Sequence, residues 1–303
     1  MLKVVNKIED ANCITHSGTF HADEVFASAF LELYLGEVRV FRTNQVDFSK
    51  VNDSMLVYDV GRGKFDHHQN DALRRENGIP YCAFGLLWKE FGKDFLQKRG
   101  IELVDRVFDL FDKDLVEGID ADDNGVFPKI DANFKVKTIP GVIKIFNPSF
   151  QANQEEASQF EKACSLAKMV LEEELYYING KAYAEEQILD LLDDLDENAK
   201  YMILPTFLPY EETILGEERA KSILFVAYPS NRGGYAIKTV PKSVEDKSTR
   251  MDFPEEWAGL EGEELERVSG ISGLTFCHST RFLVSCKDLD TVYQVFGKIL
   301  VDC

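Results

Sequence analysis

THSGTFHADE, residues 15–24, is the stretch on which the reading of the whole chain turns. Before it, residues 12–15 form a short apolar run of strand type. After it, residues 22–35 set Val25, Phe26, Ala29, Phe30 and Leu33 on one helical face, and Gly36 closes the helix. The ten residues therefore span a strand-to-helix turn, and they place two histidines and an acid where fold-building alone asks for neither. Outward from that turn, VRVFRT (38–43) and MLVYDVG (55–61) are the next strands, apolar and β-branched enough for a sheet covered on both faces. Strands alternating with helices predict a parallel α/β sheet.

Farther along come a Gly-containing hairpin at 61–64, FDHHQ (65–69), helical patterns near 83–91 and 101–117, and the acidic loop DADDNG (120–125). A mixed segment with Pro140 and Pro148 follows. An acidic helical stretch then runs over 153–195, interrupted at Asn179-Gly180, and DLLDDLDENAK (190–200) reads as a solvated face or linker. The domain boundary is placed there, giving residues 1–195 and 196–303. In the second part, strands are predicted at 201–204, 222–228, 235–240, 274–278 and 282–285. A last helix over 288–301 turns Val292, Val295, Phe296 and Ile299 inward. The expected fold class is α/β: an N-terminal parallel-sheet domain, a helical linker and a smaller C-terminal α+β domain.

The 303 residues are 45% hydrophobic, 12% aromatic and 29% charged, which is the make-up of an ordinary folded protein. The opening residues carry charges throughout, and no later run nears the ~18 apolar residues of a spanning helix. A cytoplasmic protein with no membrane partner is the expectation. Cys13, Cys82, Cys164, Cys277, Cys286 and Cys303 are scattered, without a CxxC pair, and read as reduced thiols. A net charge of −19 opposes long polyanions and offers no basic stripe for them, so any phosphate must be held locally.

Four of the five histidines fall in two clusters, His16 with His21 and His67 with His68. Acids stand beside them at element ends: Asp23, Asp59, Asp66, and Asp120, Asp122 and Asp123 in the acidic loop. Taken singly, Asp23 suits a helix start and DADDNG is ordinary turn chemistry. Asp59 is different, because an acid ending a buried strand is costly unless a cation or hydrogen bonds compensate it. Ligands in open α/β sheets lie beyond the carboxyl ends of the strands, so His16, Asp59 and FDHH are expected to converge there. Imidazole with carboxylate suits Mn²⁺, Fe²⁺, Zn²⁺ or Mg²⁺, the nitrogens tilting the choice away from Mg²⁺. A shared Asp bridges two ions in sites that activate water against phosphorus.

THSGTFHADE, VYDVG, FDHH and IDADDNG, in that order and at these separations, resemble the melanocyte proliferating gene 1 family, a branch of the DHH phosphoesterase superfamily. ENGIPYCAFGLLW, FNPSF, the VPKS run and EEWAGLEGEEL with VSGISGLTFCH extend the likeness over most of the chain. The resemblance implies a DHH-type catalytic domain, a helical linker and a C-terminal substrate-binding domain. It also implies metal-dependent phosphoester hydrolysis of the RecJ, oligonucleotide-phosphodiesterase and inorganic-pyrophosphatase kind, with 3′-to-5′ RNA exonucleases among its members. On the same basis Asp59 bridges two ions, His16 and His21 complete one site, and Asp23, His67 and either Asp120 or Asp123 the other. Asp59, Asp66 and His68 are the implied catalytic residues, with His68 meeting substrate phosphate. Lys242, Arg250, His278 and Arg281 are candidates for a terminal phosphate. The wider superfamily usually has Asp where His21 stands; a neutral imidazole there lowers the negative charge of the site, so the superfamily's metal preference does not simply transfer, and Mn²⁺ is the first choice of ion. The expected substrates are short oligonucleotides or small phosphorylated molecules; small-molecule phosphatase and non-catalytic metal- or nucleotide-binding readings stay open, as does a homodimer.

Overall fold

The parallel sheet forms because its strands are too apolar to leave either face in water. In the computed structural model, which describes residues 1–69, 72–151 and 153–301, β1 (Leu2–Val5), β2 (Cys13–Thr15), β3 (Val38–Arg42) and β4 (Leu56–Val57) lie in the order β1-β3-β2-β4. Every pairing is parallel, with Cys13 opposite both Val40 and Leu56. All three residues of β2 are buried, as a central strand covered on both sides requires. β1, LKVV, lies in the charged opening, where the sequence predicts no strand.

Helix α1 (Ala22–Leu35) spans the predicted residues and buries Val25, Phe26 and Phe30. Those rings meet α2 (Ala83–Lys98): Phe30 packs edge-on to Trp88 at 5.6 Å and to Phe95 at 5.4 Å. α2 outruns its predicted end at residue 91, and just past that point Phe108 and Trp88 pack against the backbone of Gly92. Next come α3 (Val104–Phe111), a π-helical turn over Asp112–Val116, and α4 (Glu117–Asp123). DADDNG is therefore helical through Asp123 rather than a loop; Gly125, at φ +72°, makes the turn that follows. Then follow α5 (Ile139–Ile143) and the 38-residue α6 (Glu156–Asp193). α6 passes through Asn179-Gly180 without a break, since Ile178 and Ala182 are buried in the core while Gly180 faces open space.

The chain divides into two compact units, Met1–Ala182 and Tyr183–Cys303, so the division falls inside α6 rather than at residue 195. The second unit holds β5 (Tyr201–Ile203), α7 (Glu211–Gly216), β6 (Phe225–Pro229), β7 (Tyr235–Thr239), α8 (Gly262–Ser269), β8 (Leu274–Cys277), β9 (Leu283–Cys286) and α9 (Leu289–Ile299). Its sheet runs β5-β6-β7-β9-β8, with the first pair parallel and the rest antiparallel. Asp288 caps α9 by accepting from Thr291 N at 2.9 Å, and Phe296 stacks on Tyr201 at 4.1 Å. The molecule is thus α/β, with a parallel sheet, a second sheet of mixed direction and a helical stretch between their sequences. Among the described residues no helix is long and apolar enough to cross a membrane. Cys303 lies outside the described residues.

Candidate metal centre

His16 directly follows buried β2, and the loop that carries it is tied down at both ends. Arg42, at the end of β3, donates from Nε to the His16 carbonyl (3.1 Å) and from Nη2 to that of Gly18 (3.2 Å). Its guanidinium lies 4.3 Å over the Phe160 ring and pairs with Glu156 at 2.6 Å. The Asn147 side chain brackets Phe20, accepting from its N–H (2.9 Å) and donating to its carbonyl (2.8 Å). His21 then caps α1, and Glu24 closes the box by accepting from His21 N–H at 2.9 Å. That bond folds the Glu24 side chain back until its Oε1 lies 2.6 Å from His16 Nε2.

Asp59 leaves β4 in the left-handed region, at φ +55°, with Gly61 and Arg62 also at positive φ. Only Leu56 and Val57 of the predicted strand pair with β2, because this turn lifts Asp59 out of the ladder. Such backbone costs of order 1–3 kcal/mol outside glycine and persists only where its surroundings enforce it. Here it sets the two oxygens of one carboxylate against two rings: Oδ2 is 3.2 Å from His16 Nε2, and Oδ1 is 3.2 Å from His67 Nε2. His67 Nε2 also lies 3.2 Å from Asp123 Oδ2 and 3.7 Å from Asp23 Oδ2. Asp66 turns away from that group and organises the loop, accepting from Arg62 N (2.5 Å), His68 N (3.0 Å) and His68 Nδ1 (2.8 Å). His68 itself is largely exposed, with Nδ1 3.6 Å from Asp59 Oδ1.

The donor set fits divalent ions. Glu24 Oε1 and His67 Nε2 are buried and make no hydrogen bond, although each faces other lone-pair-bearing atoms at close range. His16 Nδ1 lies 3.3 Å from the Ser17 carbonyl, so an Nδ1–H directed there leaves Nε2 as a lone pair aimed at Glu24 and Asp59. A ligating imidazole is typically held by its other nitrogen in this way. Without an ion, protons must fill the gaps. Burial disfavours charge on His16, but the carboxylates of Asp59 and Glu24 beside it outweigh that and raise the ring to about 11. His67 is raised to about 9, burial being overcome by Asp59, Asp23 and Asp123. Burial opposes ionisation of Asp59 too, yet the two imidazoles hold it down at about 2. Asp23 is pushed well up by burial and by the charges of Asp59 and Asp123. Asp23, Glu24, Asp59 and Asp123 thus crowd around His16 and His67; the ligand atoms lie within 4.8 Å of one another in each of three groups, His16 with His21 and Glu24, Asp59 with His67 and His68, and Asp23 with His67 and Asp123.

Asp120 and Asp123 part company. Asp120 is buried against the start of α2, accepting from Cys82 N (3.1 Å) and Gly85 N (3.2 Å) and pairing with Arg75 at 2.6 Å. One helical turn on, Asp123 faces His67. Asp23 has a double position, since its oxygens also accept from Ala83 N (3.1 Å) and Phe84 N (2.7 Å). His21, more than half exposed, comes no nearer to Asp123 than 4.0 Å. Glu24 joins the cluster although the sequence reading passes over it; the signal is its place three residues after the capping His21. In the second unit, Arg250 Nη1 donates to the carbonyls of Ala220 (2.7 Å) and Ile223 (2.8 Å), and Arg281 pairs with Asp252 at 3.0 Å. Those two guanidinium groups are therefore engaged by their own chain. Lys242 is exposed, and His278 Nδ1 lies 2.8 Å from Thr280 Oγ1.

A family model labelled MYG1_exonuc and described as Uncharacterised protein family (UPF0160) matches residues 12–300. The MYG1 protein YER156C of Saccharomyces cerevisiae is 28% identical, covering 97% of this chain and 96% of its own. A MYG1 exonuclease of Rattus norvegicus is 30% identical over 89% of this chain and 79% of its own, and a MYG1 protein of Chlamydia trachomatis 29% identical over 94% and 95%. The solved structure of RecJ from Thermus thermophilus overlaps 96% of this chain and 50% of its own at a TM-score of 0.26 and 14% identity, too slight a likeness to bear on fold or chemistry.

Proposed function

The chain belongs to the family described as Uncharacterised protein family (UPF0160), from residue 12 to residue 300, and on that premise we propose that it is a metal-dependent phosphoesterase, a 3′-to-5′ exonuclease on short RNA or oligonucleotides. Relatives named exonuclease support the class of reaction. The observation that carries the reading is Asp59, whose two oxygens each face a different imidazole at 3.2 Å. A carboxylate so placed serves two cations at once.

Asp59 would hold both ions, with His16, Glu24 and His21 completing one site and His67, Asp123 and Asp23 the other. Two divalent ions, when bound, polarise a phosphate and activate water for in-line attack. The chain's own part is to fix that geometry. Arg42 pins the His16 loop, Asp66 fixes the tautomer and direction of His68, and the exposed His68 ring is left to meet a non-bridging phosphate oxygen. The imidazoles in the set favour Mn²⁺. Lys242 and His278 are the second unit's groups for a terminal phosphate in this reading.

The test is turnover of short RNA, short DNA, cyclic dinucleotides and pyrophosphate with Mn²⁺, for the parent chain and for Asp59→Ala. Cleavage of oligonucleotides from the 3′ end, lost in the variant, is the expected result. No turnover of any of the four by the parent overturns the reading in favour of a binding protein.

A further inference from the structure

Directly after Asp123 the chain changes character. Residues 126–150 carry four lysines (Lys129, Lys135, Lys137 and Lys144) against one acid, Asp131, in a protein whose net charge is −19. Every residue over 126–139 is exposed, including Phe127 at 66% and Phe134 at 71%. Neither ring is covered, and within the described residues no hydrogen bond or ion pair engages Lys129, Lys135 or Lys137. Apolar rings left in water amid unpaired cations are not a core element and point to a partner.

The position of this segment is as telling as its composition. It starts from the metal centre, where Val126 N–H donates to the Ala121 carbonyl at 2.8 Å just past Asp123. It ends on the metal centre as well, where Asn147 brackets Phe20 beside His21. Lys129 lies six residues beyond Asp123, a reach of at most about 20 Å. The segment is a strap fastened at both ends, to the end of the helix that carries Asp123 and to the loop that carries His21.

We infer that this strap is a docking surface for single-stranded nucleic acid, its lysines taking backbone phosphates and Phe127 and Phe134 stacking on unpaired bases. The inference rests on the phosphoesterase reading for its purpose and on charge complementarity for its occupant. Basic side chains that follow the backbone, interleaved with aromatic faces, bind single strands with little sequence preference. The bulk of the surface repels a polyanion, so the strap is the route along which a strand approaches the centre.

The test is binding of labelled oligo(rU) and oligo(dT) of about ten nucleotides to the full chain in EDTA, where no cleavage occurs. The parent is compared with Lys129→Gln/Lys135→Gln/Lys137→Gln and with Phe127→Ser/Phe134→Ser. Both strands are expected to bind the parent, since phosphates and base faces are common to them. The lysine variant should bind at least ten-fold more weakly, with a log–log salt slope shallower by about 2, near 0.7 for each phosphate left without its lysine. The phenylalanine variant should lose about ten-fold per ring with its salt slope intact. Asp131→Asn should bind more tightly, a gain that misfolding does not imitate. Affinities and slopes unchanged in all variants overturn the inference, as does a parent dimer in sedimentation that the variants abolish without change in oligonucleotide binding. Hydrolysis of bis(4-nitrophenyl) phosphate with Mn²⁺ is expected to be equal in parent and variants. Its absence from the parent would strike the phosphoesterase reading and leave the binding result to stand by itself.

Discussion

Gly85→Ala and Gly180→Ala are the same chemical change in two helices, and the structure sets their effects apart in sign. In a helix interior alanine is favoured over glycine by about 1 kcal/mol. At Gly180, in α6, the added methyl meets nothing within 4 Å, so the change is expected to stabilise by roughly 0.5–1 kcal/mol. At Gly85, in the first turn of α2, it falls 2.6 Å from Asp120 Cγ and closer still to both carboxylate oxygens. Asp120 has nowhere to yield, being buried and bound to Arg75, Cys82 N–H and the Gly85 N–H itself. Overpacking costs about 1–3 kcal/mol, and removing one side of a buried ion pair about 3–5 kcal/mol. Even with partial relaxation and the helix-propensity gain, a net loss of about 2–4 kcal/mol is expected. The chain has two tryptophans, Trp88 and Trp257, so Trp88 fluorescence in a Trp257→Phe background reports the first unit alone during urea unfolding. The Gly85→Ala midpoint should fall by about 1 M, while that of Gly180→Ala holds or rises. A Gly85→Ala midpoint at or above the parent's would refute the packing described around Asp120.

Asp59→Asn keeps the size of the side chain but removes the charge shared between His16 and His67. Metal affinity is expected to fall at least about 100-fold, read by calorimetry with Mn²⁺, because both sites lose an anionic ligand. Metal binding should also release protons. With His16 at about 11 and His67 at about 9, both rings are protonated near neutrality in the metal-free chain, and an ion must displace those protons. At least one proton per chain is expected to be released, seen as a dependence of the binding enthalpy on buffer, with affinity rising as pH rises; an enthalpy indifferent to buffer contradicts the assignment. Arg42→Ala strands the His16 and Gly18 carbonyls and leaves Glu156 unpaired. A loss of about 2–4 kcal/mol in urea unfolding is expected, together with weaker Mn²⁺ binding.

The features that a period or a stop residue announces were legible in the sequence. α1 shows its face at Val25, Phe26, Ala29 and Phe30 and its end at Gly36, and both bounds agree with the structure. The bringing together of His16, Asp59 and His67 follows from where strands of a parallel sheet end, as the measured separations show. What stayed hidden depends on contacts distant in sequence. The π-helical turn over Asp112–Val116 upsets the 3.6-residue period just before α4, so nothing local tells Asp120 from Asp123 or marks DADDNG as helical. Glu24 looks like any acid in a first turn until its bond to His21 N–H draws it inward. Asn179-Gly180 mimics a break because an open helix face accepts glycine. The cationic run over 126–150 is lost in a whole-chain charge of −19.

The five described cysteines, Cys13, Cys82, Cys164, Cys277 and Cys286, are all buried. Burial raises every one of these thiols, to about 12 for Cys13 and Cys286 and about 11 for Cys277, and well up for Cys82 and Cys164. The reactive thiolate is therefore scarce in the closed molecule, and an alkylating reagent must wait for a unit to open. In a Cys303→Ser background, mass-resolved labelling then becomes a stopwatch with two hands: three thiols time the breathing of the first unit and two that of the second.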